Sequence, residues 1–318
     1  MNRWLLTGGV GFIGYHVAEA LLTRGDEVEI ADDFSESPYP TRYKRRNEAH
    51  LTQRFSKVSV FEASVTDRER MNALVKGKSG VIHLAGLAGV RPSFASPARY
   101  AEVNVQGTAS LFEAAMAEGI RNFVFASSSS VYGNSTPLPA TEEAACAEPE
   151  SPYAATKRAA ELITKPLCAL RPEARCVALR FFTVYGPRQR PEMAITLFMR
   201  AVLEGRPITM FGDGSMRRDF THVDDITRGV VASADAPHRG WTAYNLGSGA
   251  PVTLAELVAG IEEVAGKKAI VERAGKPAGD VDATYASIEK AKRELGWAPQ
   301  RKLVEGLATV RDWVTAND

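Results

Sequence analysis

The string Thr7-Gly8-Gly9-Val10-Gly11-Phe12-Ile13-Gly14 constrains this chain more than any other feature. It follows an apolar run, Trp4 to Thr7, that reads as a strand, and it opens a helical pattern from Phe12 to Thr23. Glycines at 8, 11 and 14 fit a tight turn, close approach of backbone to a pyrophosphate, and packing of helix on strand. The helix N-terminus, starting at Phe12 and Ile13, would then face phosphates with its N–H groups. A second strand, Glu27 to Ala31, leads to Asp32, which lies 18 residues after Gly14. An acid at that place accepts hydrogen bonds from the adenosine ribose and repels a 2′-phosphate, which favours NAD over NADP. Asp33 beside it is a second candidate for the same contact.

Further strands are predicted at Val58 to Phe61, Val81 to Leu84, Phe123 to Ala126 and Cys176 to Arg180. Helical stretches such as Ala98 to Ala117 and Pro152 to Cys168 separate them. Strands alternating with helices mean βαβ units and a Rossmann-type, doubly wound parallel α/β sheet. Residues 1–180 are expected to form the NAD-binding domain. After about Phe181 the alternation loosens, with helical patterns near Met193 to Leu203, Thr253 to Val264 and Leu303 to Trp313. Residues 181–318 are therefore expected to form mainly a smaller, mixed substrate lobe, with some segments returning to the first domain.

Composition adds exclusions. Of 318 residues, 39 are Lys or Arg and 38 are Asp or Glu. That balance points to neither nucleic acid nor membrane as a partner. No run approaches the roughly 18 apolar residues of a membrane span. The N-terminus runs straight into a strand, with no signal-peptide pattern. Cys146, Cys168 and Cys176 lack metal-ligand spacing and read as reduced thiols of a cytoplasmic protein. The five histidines are scattered, and no metal site is expected. The run Lys44-Arg45-Arg46 reads as a solvated face, with a phosphate contact as the alternative.

Ser151-Pro152-Tyr153-Ala154-Ala155-Thr156-Lys157 places Tyr153 and Lys157 four apart at the start of a predicted helix, hence on one face. A free phenol, with a pKa of about 10, is a poor base near neutrality. A neighbouring ammonium and a positive nicotinamide both favour the phenolate. Lys157 can also reach the nicotinamide ribose. Ser127 to Ser130 follow directly on the strand Phe123 to Ala126, at the end of such strands where ligands bind. Ser128 is placed there to hydrogen-bond a reacting oxygen.

Taken with VIHLAGLAGVRPS from Val81, NVQGT from Asn104, SSSSVYG from Ser127, LRFFTVYGPRQRPEM from Leu179 and RRDFTHVDD from Arg217, these motifs run in order along nearly the whole chain. In this the chain resembles the extended short-chain dehydrogenase/reductase family, in its NAD-dependent nucleotide-sugar epimerase/dehydratase branch. The resemblance implies that Ser128, Tyr153 and Lys157 are the catalytic trio. It implies that Gly8, Gly11, Phe12, Ile13, Gly14, Asp32, Leu84, Ala85, Gly86 and Asn104 line the cofactor. Ser64, with Val65, falls where the family often has an Asp for the adenine edge. Arg218 matches a position that binds the substrate diphosphate. A phosphate contact is also implied near the late Gly279-Asp280 pair. That makes Asp280 a substrate-site residue, with Lys276 standing in for the usual arginine. The helices Ala98 to Ala117 and Pro152 to Cys168 match those that pair in family homodimers.

Family dehydratases carry Asp-Glu after the catalytic hydroxyl, and a related decarboxylase group carries Glu at the second place. Here those places are Ser129 and Ser130, which cannot act as general acids near neutral pH. That leaves oxidation and re-reduction at one carbon, which is epimerisation. The string FFTVYGP followed by Gln189-Arg190-Pro191 looks more like the UDP-glucuronate 4-epimerases than those acting on UDP-glucose. Arg190 offers a planar, always charged fork for a carboxylate, and Thr183 a hydroxyl donor. Arg91 and Ser129 are further candidate substrate contacts. The expected reaction is UDP-glucuronate to UDP-galacturonate. Alternatives are the same chemistry on UDP-glucose or UDP-N-acetylglucosamine, a net dehydrogenase, and a non-catalytic NAD-binding regulator.

Overall fold

A computed structural model describes residues 1–36, 39–275 and 283–317. Its central sheet has seven strands. Six are β1 (Arg3–Thr7), β2 (Glu27–Asp32), β3 (Val58–Glu62), β4 (Gly80–His83), β5 (Asn122–Ser128) and β6 (Arg175–Phe181). The seventh is Gly240–Leu246, and the order across the sheet is Gly240–Leu246, β6, β5, β4, β1, β2, β3. β1 pairs parallel with β2 and with β4, β2 with β3, and β4 with β5. This is the Rossmann-type doubly wound sheet, and its order reverses between β1 and β4.

The strands read as near-continuous apolar runs because helices cover both faces. Leu5, Leu6, Ile30, Val81, Ile82, Phe123, Val124 and Val177 are each at most 0% exposed. Register aligns the carboxyl ends: Thr7 lies beside Ala31 and His83, His83 beside Phe125, and Asp32 beside Glu62. In such sheets ligands bind outside these ends, at the point where strand order reverses.

The chain divides into two compact units. The first comprises Met1–Thr136, Glu142–Arg180 and Thr227–Tyr244; the second comprises Pro137–Thr141, Phe181–Ile226 and Asn245–Asp318. Within the second, helices Ala194–Glu204, Leu254–Ala265 and Leu303–Asn317 bury Met199, Leu257, Ile261, Leu307 and Val310 around Tyr185. A fully buried Asp219 organises its loops. Its two oxygens accept from the Ser248, Gly249 and Ala286 amides and from the Thr221 hydroxyl.

Two sequence expectations need correcting. The stretch Ala98 to Ala117 is not one regular α-helix. It runs as a short helix (Pro97–Tyr100), a π-helical turn (Ala101–Gly107) and an α-helix (Thr108–Ala117). π turns of this kind re-aim side chains and recur at functional sites, and this one carries Asn104. The second correction concerns Lys44, which is not part of a solvated face. It lies on the helix Thr41–Arg54, whose buried residues are Lys44, Asn47 and Leu51, spaced three and four apart on one face.

Candidate active site

The glycine loop is built as its residues dictate. Gly8 has φ +71°, and a Cβ there would lie 2.6 Å from the Ala85 nitrogen. Only glycine lets the turn press against Leu84 and Ala85. A Cβ on Gly14 would stand 2.1 Å from the Gly8 carbonyl oxygen, so helix and turn meet at backbone distance. The helix Phe12–Thr23 begins at Gly11 with no side chain capping it, so its first-turn donors are left for a ligand. These features fit a dinucleotide pyrophosphate.

His83, at the end of β4, ties the cofactor loops together. The Thr108 hydroxyl donates to the Asn104 carbonyl at 2.7 Å, so its oxygen accepts from the His83 Nε2–H at 2.9 Å. The bare Nδ1 then accepts from the Thr7 hydroxyl at 2.6 Å, and that oxygen accepts from the Ala85 amide. One neutral tautomer satisfies the whole chain of bonds. Burial, with repulsion from Lys157, lowers the ring's pKa from 6.5 to about 3. Between those values the unfolded chain binds a proton that the folded one does not. His83 therefore contributes stability that is complete above pH 6.5 and lost as pH falls towards 3, with a slope approaching ~1.4 kcal/mol per pH unit. His83→Gln is expected to flatten this loss in urea unfolding measured at about pH 7 and about pH 5. Equal slopes for both proteins would refute the assignment.

Asn104 braces the loop beyond β4. Its oxygen accepts from the Leu87 amide at 2.8 Å, and its nitrogen donates to the Leu87 carbonyl and to the Thr156 hydroxyl. Thr156 in turn donates to the Tyr153 carbonyl at 2.8 Å. A Cβ on Gly86 would lie 2.9 Å from the Asn104 oxygen and 3.1 Å from Lys157 Nζ. The structure thus brings Gly86, Asn104, Tyr153 and Lys157 together.

Tyr153 and Lys157 lie on the helix Pro152–Ala169, whose N-terminus is fixed by Pro152 and by Ser151, whose hydroxyl accepts from the Ala154 amide. Lys157 is buried, and its Nζ donates to the Ala126 carbonyl at 2.9 Å. Burial lowers its pKa from 10.5 to about 8. Two residues on from Ala126 stands Ser128, also buried. Its hydroxyl accepts from the Ser130 amide and donates to the Ser130 hydroxyl at 3.1 Å. Ser129 is half-buried in the short turn that follows. Tyr153 is half-buried, edge-on to Tyr100 with ring centroids 6.3 Å apart.

At the end of β2, Asp32 is buried and accepts from the Phe34 amide at 3.0 Å and from Lys44 Nζ at 2.9 Å. Burial lifts its carboxyl above the ordinary value, with the Lys44 ammonium acting against that lift. Asp33 accepts from the Ser35 amide and lies 3.4 Å from the same ammonium. Ser64 bonds the Thr66 hydroxyl and amide, and Val65 is buried where a Cβ on Gly107 would touch it.

The substrate candidates belong to both units. Arg91 is exposed in the first turn of the helix Val90–Ala95. In the second unit, Thr183 is half-buried, and its amide donates to the Asp219 carbonyl. Arg190 has a side chain 19% exposed, 3.3 Å from Glu192 and 3.2 Å from the Met193 sulfur. Arg218 occupies the short strand Arg217–Arg218. Lys276 and Asp280 lie outside the described residues. Sequence reasoning missed Lys44, His83 and a buried pair, Glu161 and Arg180. Each is a polar residue with its main partners on other elements of the fold.

Residues 4–247 match the model of the NAD dependent epimerase/dehydratase family. The chain belongs to that family, and NAD is its cofactor. A UDP-glucuronate 4-epimerase of Thermodesulfobacterium geofontis is 38% identical over 100% of this chain and 97% of its own. The structure of a Bacillus cereus UDP-glucuronic acid 4-epimerase with UDP-glucuronic acid and NAD superposes with a TM-score of 0.90, at 32% identity and 99% coverage of both chains. A UDP-glucose 4-epimerase of Thermotoga maritima with UDP-glucose gives 0.87, at 30% identity and 99% coverage of both.

Proposed function

We propose that this chain catalyses the NAD-dependent 4-epimerisation of a UDP-sugar, UDP-glucuronate to UDP-galacturonate, through a 4-keto intermediate. The observation that carries the reading is the meeting of the Tyr153 helix with the end of β5, where Lys157 Nζ binds the carbonyl two residues before Ser128. Bound NAD supplies a reversible hydride acceptor. Tyr153 takes the proton of the sugar 4-hydroxyl and later returns it. Lys157 holds the phenolate by its charge. Ser128 donates to the reacting oxygen, with Ser129 beside it. Gly8, Gly11 to Gly14, Asp32, Asp33, Ser64, Val65, Leu84 to Gly86 and Asn104 frame the cofactor. Arg91, Arg218 and Asp280 serve the remainder of the substrate.

Thr183 and Arg190 are assigned to the sugar carboxylate. A 4-keto uronate is a β-keto acid, and a clamped carboxylate is held out of alignment for loss of CO₂. Arg190 suits this because its contacts to Glu192 and Met193 are long or weak, which leaves the fork able to turn to a ligand. Purified protein is expected to turn over UDP-glucuronate in preference to UDP-glucose. Arg190→Ala is expected to lower kcat/KM on UDP-glucuronate about tenfold to a hundredfold, the worth of one charge-assisted contact, and to spare UDP-glucose. Turnover of the neutral sugar alone would overturn the carboxylate assignment and leave a UDP-glucose 4-epimerase.

The same reading takes the protein as a cytoplasmic homodimer. In its support, Phe112, Met116, Leu167 and Leu170 line a groove on helices Thr108–Ala117 and Pro152–Ala169, and Leu162 and Leu170 are exposed. All three cysteines are free and buried, and no described helix is long and apolar enough to cross a membrane.

A further inference from the structure

Beneath the proposed catalytic residues lies a carboxylate that the mechanism does not use. Glu161 has a side chain 0% exposed. It accepts four hydrogen bonds: from the Ser127 hydroxyl at 2.6 Å, from Arg180 Nε at 3.0 Å and Nη2 at 2.8 Å, and from Arg158 Nη1 at 3.0 Å. Arg180 is itself 2% exposed and also donates to the Tyr132 hydroxyl at 3.0 Å. Burial would push the Glu161 carboxyl up, but Arg180, Ser127 and Arg158 together hold it below the ordinary value.

The positions of these partners matter more than their number. Glu161 is one helical turn beyond Lys157, on the same face. Ser127 immediately precedes Ser128, and Tyr132 ends the turn that Ser128 begins. Two rungs therefore join the helix to β5: Lys157 to the Ala126 carbonyl, and Glu161 to the Ser127 hydroxyl. Arg180 extends the second rung to β6 and Tyr132. The chain on both sides of Ser128 is anchored to one carboxylate that sits on the Tyr153 helix.

Stability alone is a poor reason for this cluster. Desolvating two charges offsets most of their attraction, and well-packed apolar residues commonly serve a fold as well. Orientation is a better reason. Charge-assisted and bidentate bonds fix angle as well as distance, and misplacement of a reacting group by about 1 Å costs up to a hundredfold in rate. We propose that Glu161 is a positioning residue, holding the end of β5 and the helix Pro152–Ala169 in the one register at which Ser128 faces Tyr153 and Lys157. This rests on the catalytic roles assigned above.

Two variants test it on whichever UDP-sugar the unaltered enzyme turns over. Ser127→Ala removes only the bond from β5 and leaves the Glu161–Arg180 pair whole. The double variant Glu161→Leu/Arg180→Leu replaces the pair by apolar volume and avoids a lone buried charge. For both, kcat is expected to fall about tenfold or more. KM should stay within about twofold, since no group removed meets the substrate. NAD content of both, measured on released nucleotide, and thermal unfolding of Ser127→Ala should match the unaltered enzyme. The double variant also takes a bond from the buried Ser127 and Tyr132 hydroxyls and should melt a few degrees lower. Retention of full kcat by both folded, NAD-loaded variants would overturn the proposal. So would a rate loss equalled by the loss of folded, NAD-loaded protein, which would mark the cluster as scaffold only. Failure of the unaltered enzyme to turn over any UDP-sugar is a separate result and refutes the functional reading itself.

Discussion

Tyr153→Phe is expected to abolish turnover, by about a thousandfold or more, while NAD stays bound and the fold is unchanged. General acid–base groups contribute about 10²- to 10⁴-fold, and this one acts twice in each cycle, once as base and once as acid. The substitution removes one oxygen and little else. The ring stays half-buried and edge-on to Tyr100. The Tyr153 carbonyl still accepts from Thr156, and Ser151 still caps the helix. The residues framing the cofactor keep their bonds, because Asn104 and His83 are satisfied by Leu87, Thr156, Thr7 and Thr108. The check is turnover of UDP-glucuronate, followed by product NMR, alongside NAD content by mass spectrometry. A variant within tenfold of the unaltered rate would remove Tyr153 from the mechanism.

The sheet was legible because buried parallel strands write themselves as short apolar runs. β1 to β6 are each legible within two residues of their ends, whereas the seventh strand, Gly240–Leu246, is not. Local chemistry also made the glycine loop legible, since each glycine answers a contact that a Cβ would block. What escaped had partners distant in sequence. The helix Thr41–Arg54 has little apolar content, and its inner face is Lys44, Asn47 and Leu51. Lys44 is buried only because Asp32 and Asp33, on another element, compensate its charge. Glu161 sits in a helix otherwise well supplied with polar residues, and its partner Arg180 is 19 positions on. No periodicity marks such pairs. The π turn Ala101–Gly107 escaped because a shift of one residue in helical period leaves no mark in an apolar pattern.

Lys157→Met is expected to slow the reaction severely and yet to stabilise the protein stripped of cofactor. Burial lowers the Lys157 pKa from 10.5 to about 8. Between those values the unfolded chain carries a proton that the folded one lacks, so stability rises with pH across that window. Below about 8 the cost of holding a buried ammonium is present in full, on the order of 3 kcal/mol at 1.36 kcal/mol per pH unit. Methionine keeps the buried length of the stem without the charge. It also leaves the Ala126 carbonyl without its Nζ donor, which offsets about 1 kcal/mol or more of the gain. The variant's melting temperature should therefore exceed that of the unaltered, NAD-free protein near pH 7, by a few degrees. The gap should close towards about pH 10, where the native lysine is already neutral. Turnover should fall about a hundredfold to a thousandfold, because the phenolate loses the charge that favours it. A methionine variant less stable than the parent near neutral pH would show that burial does not strain this lysine. A variant stabilised as expected but still active would show that the strained charge serves something other than Tyr153.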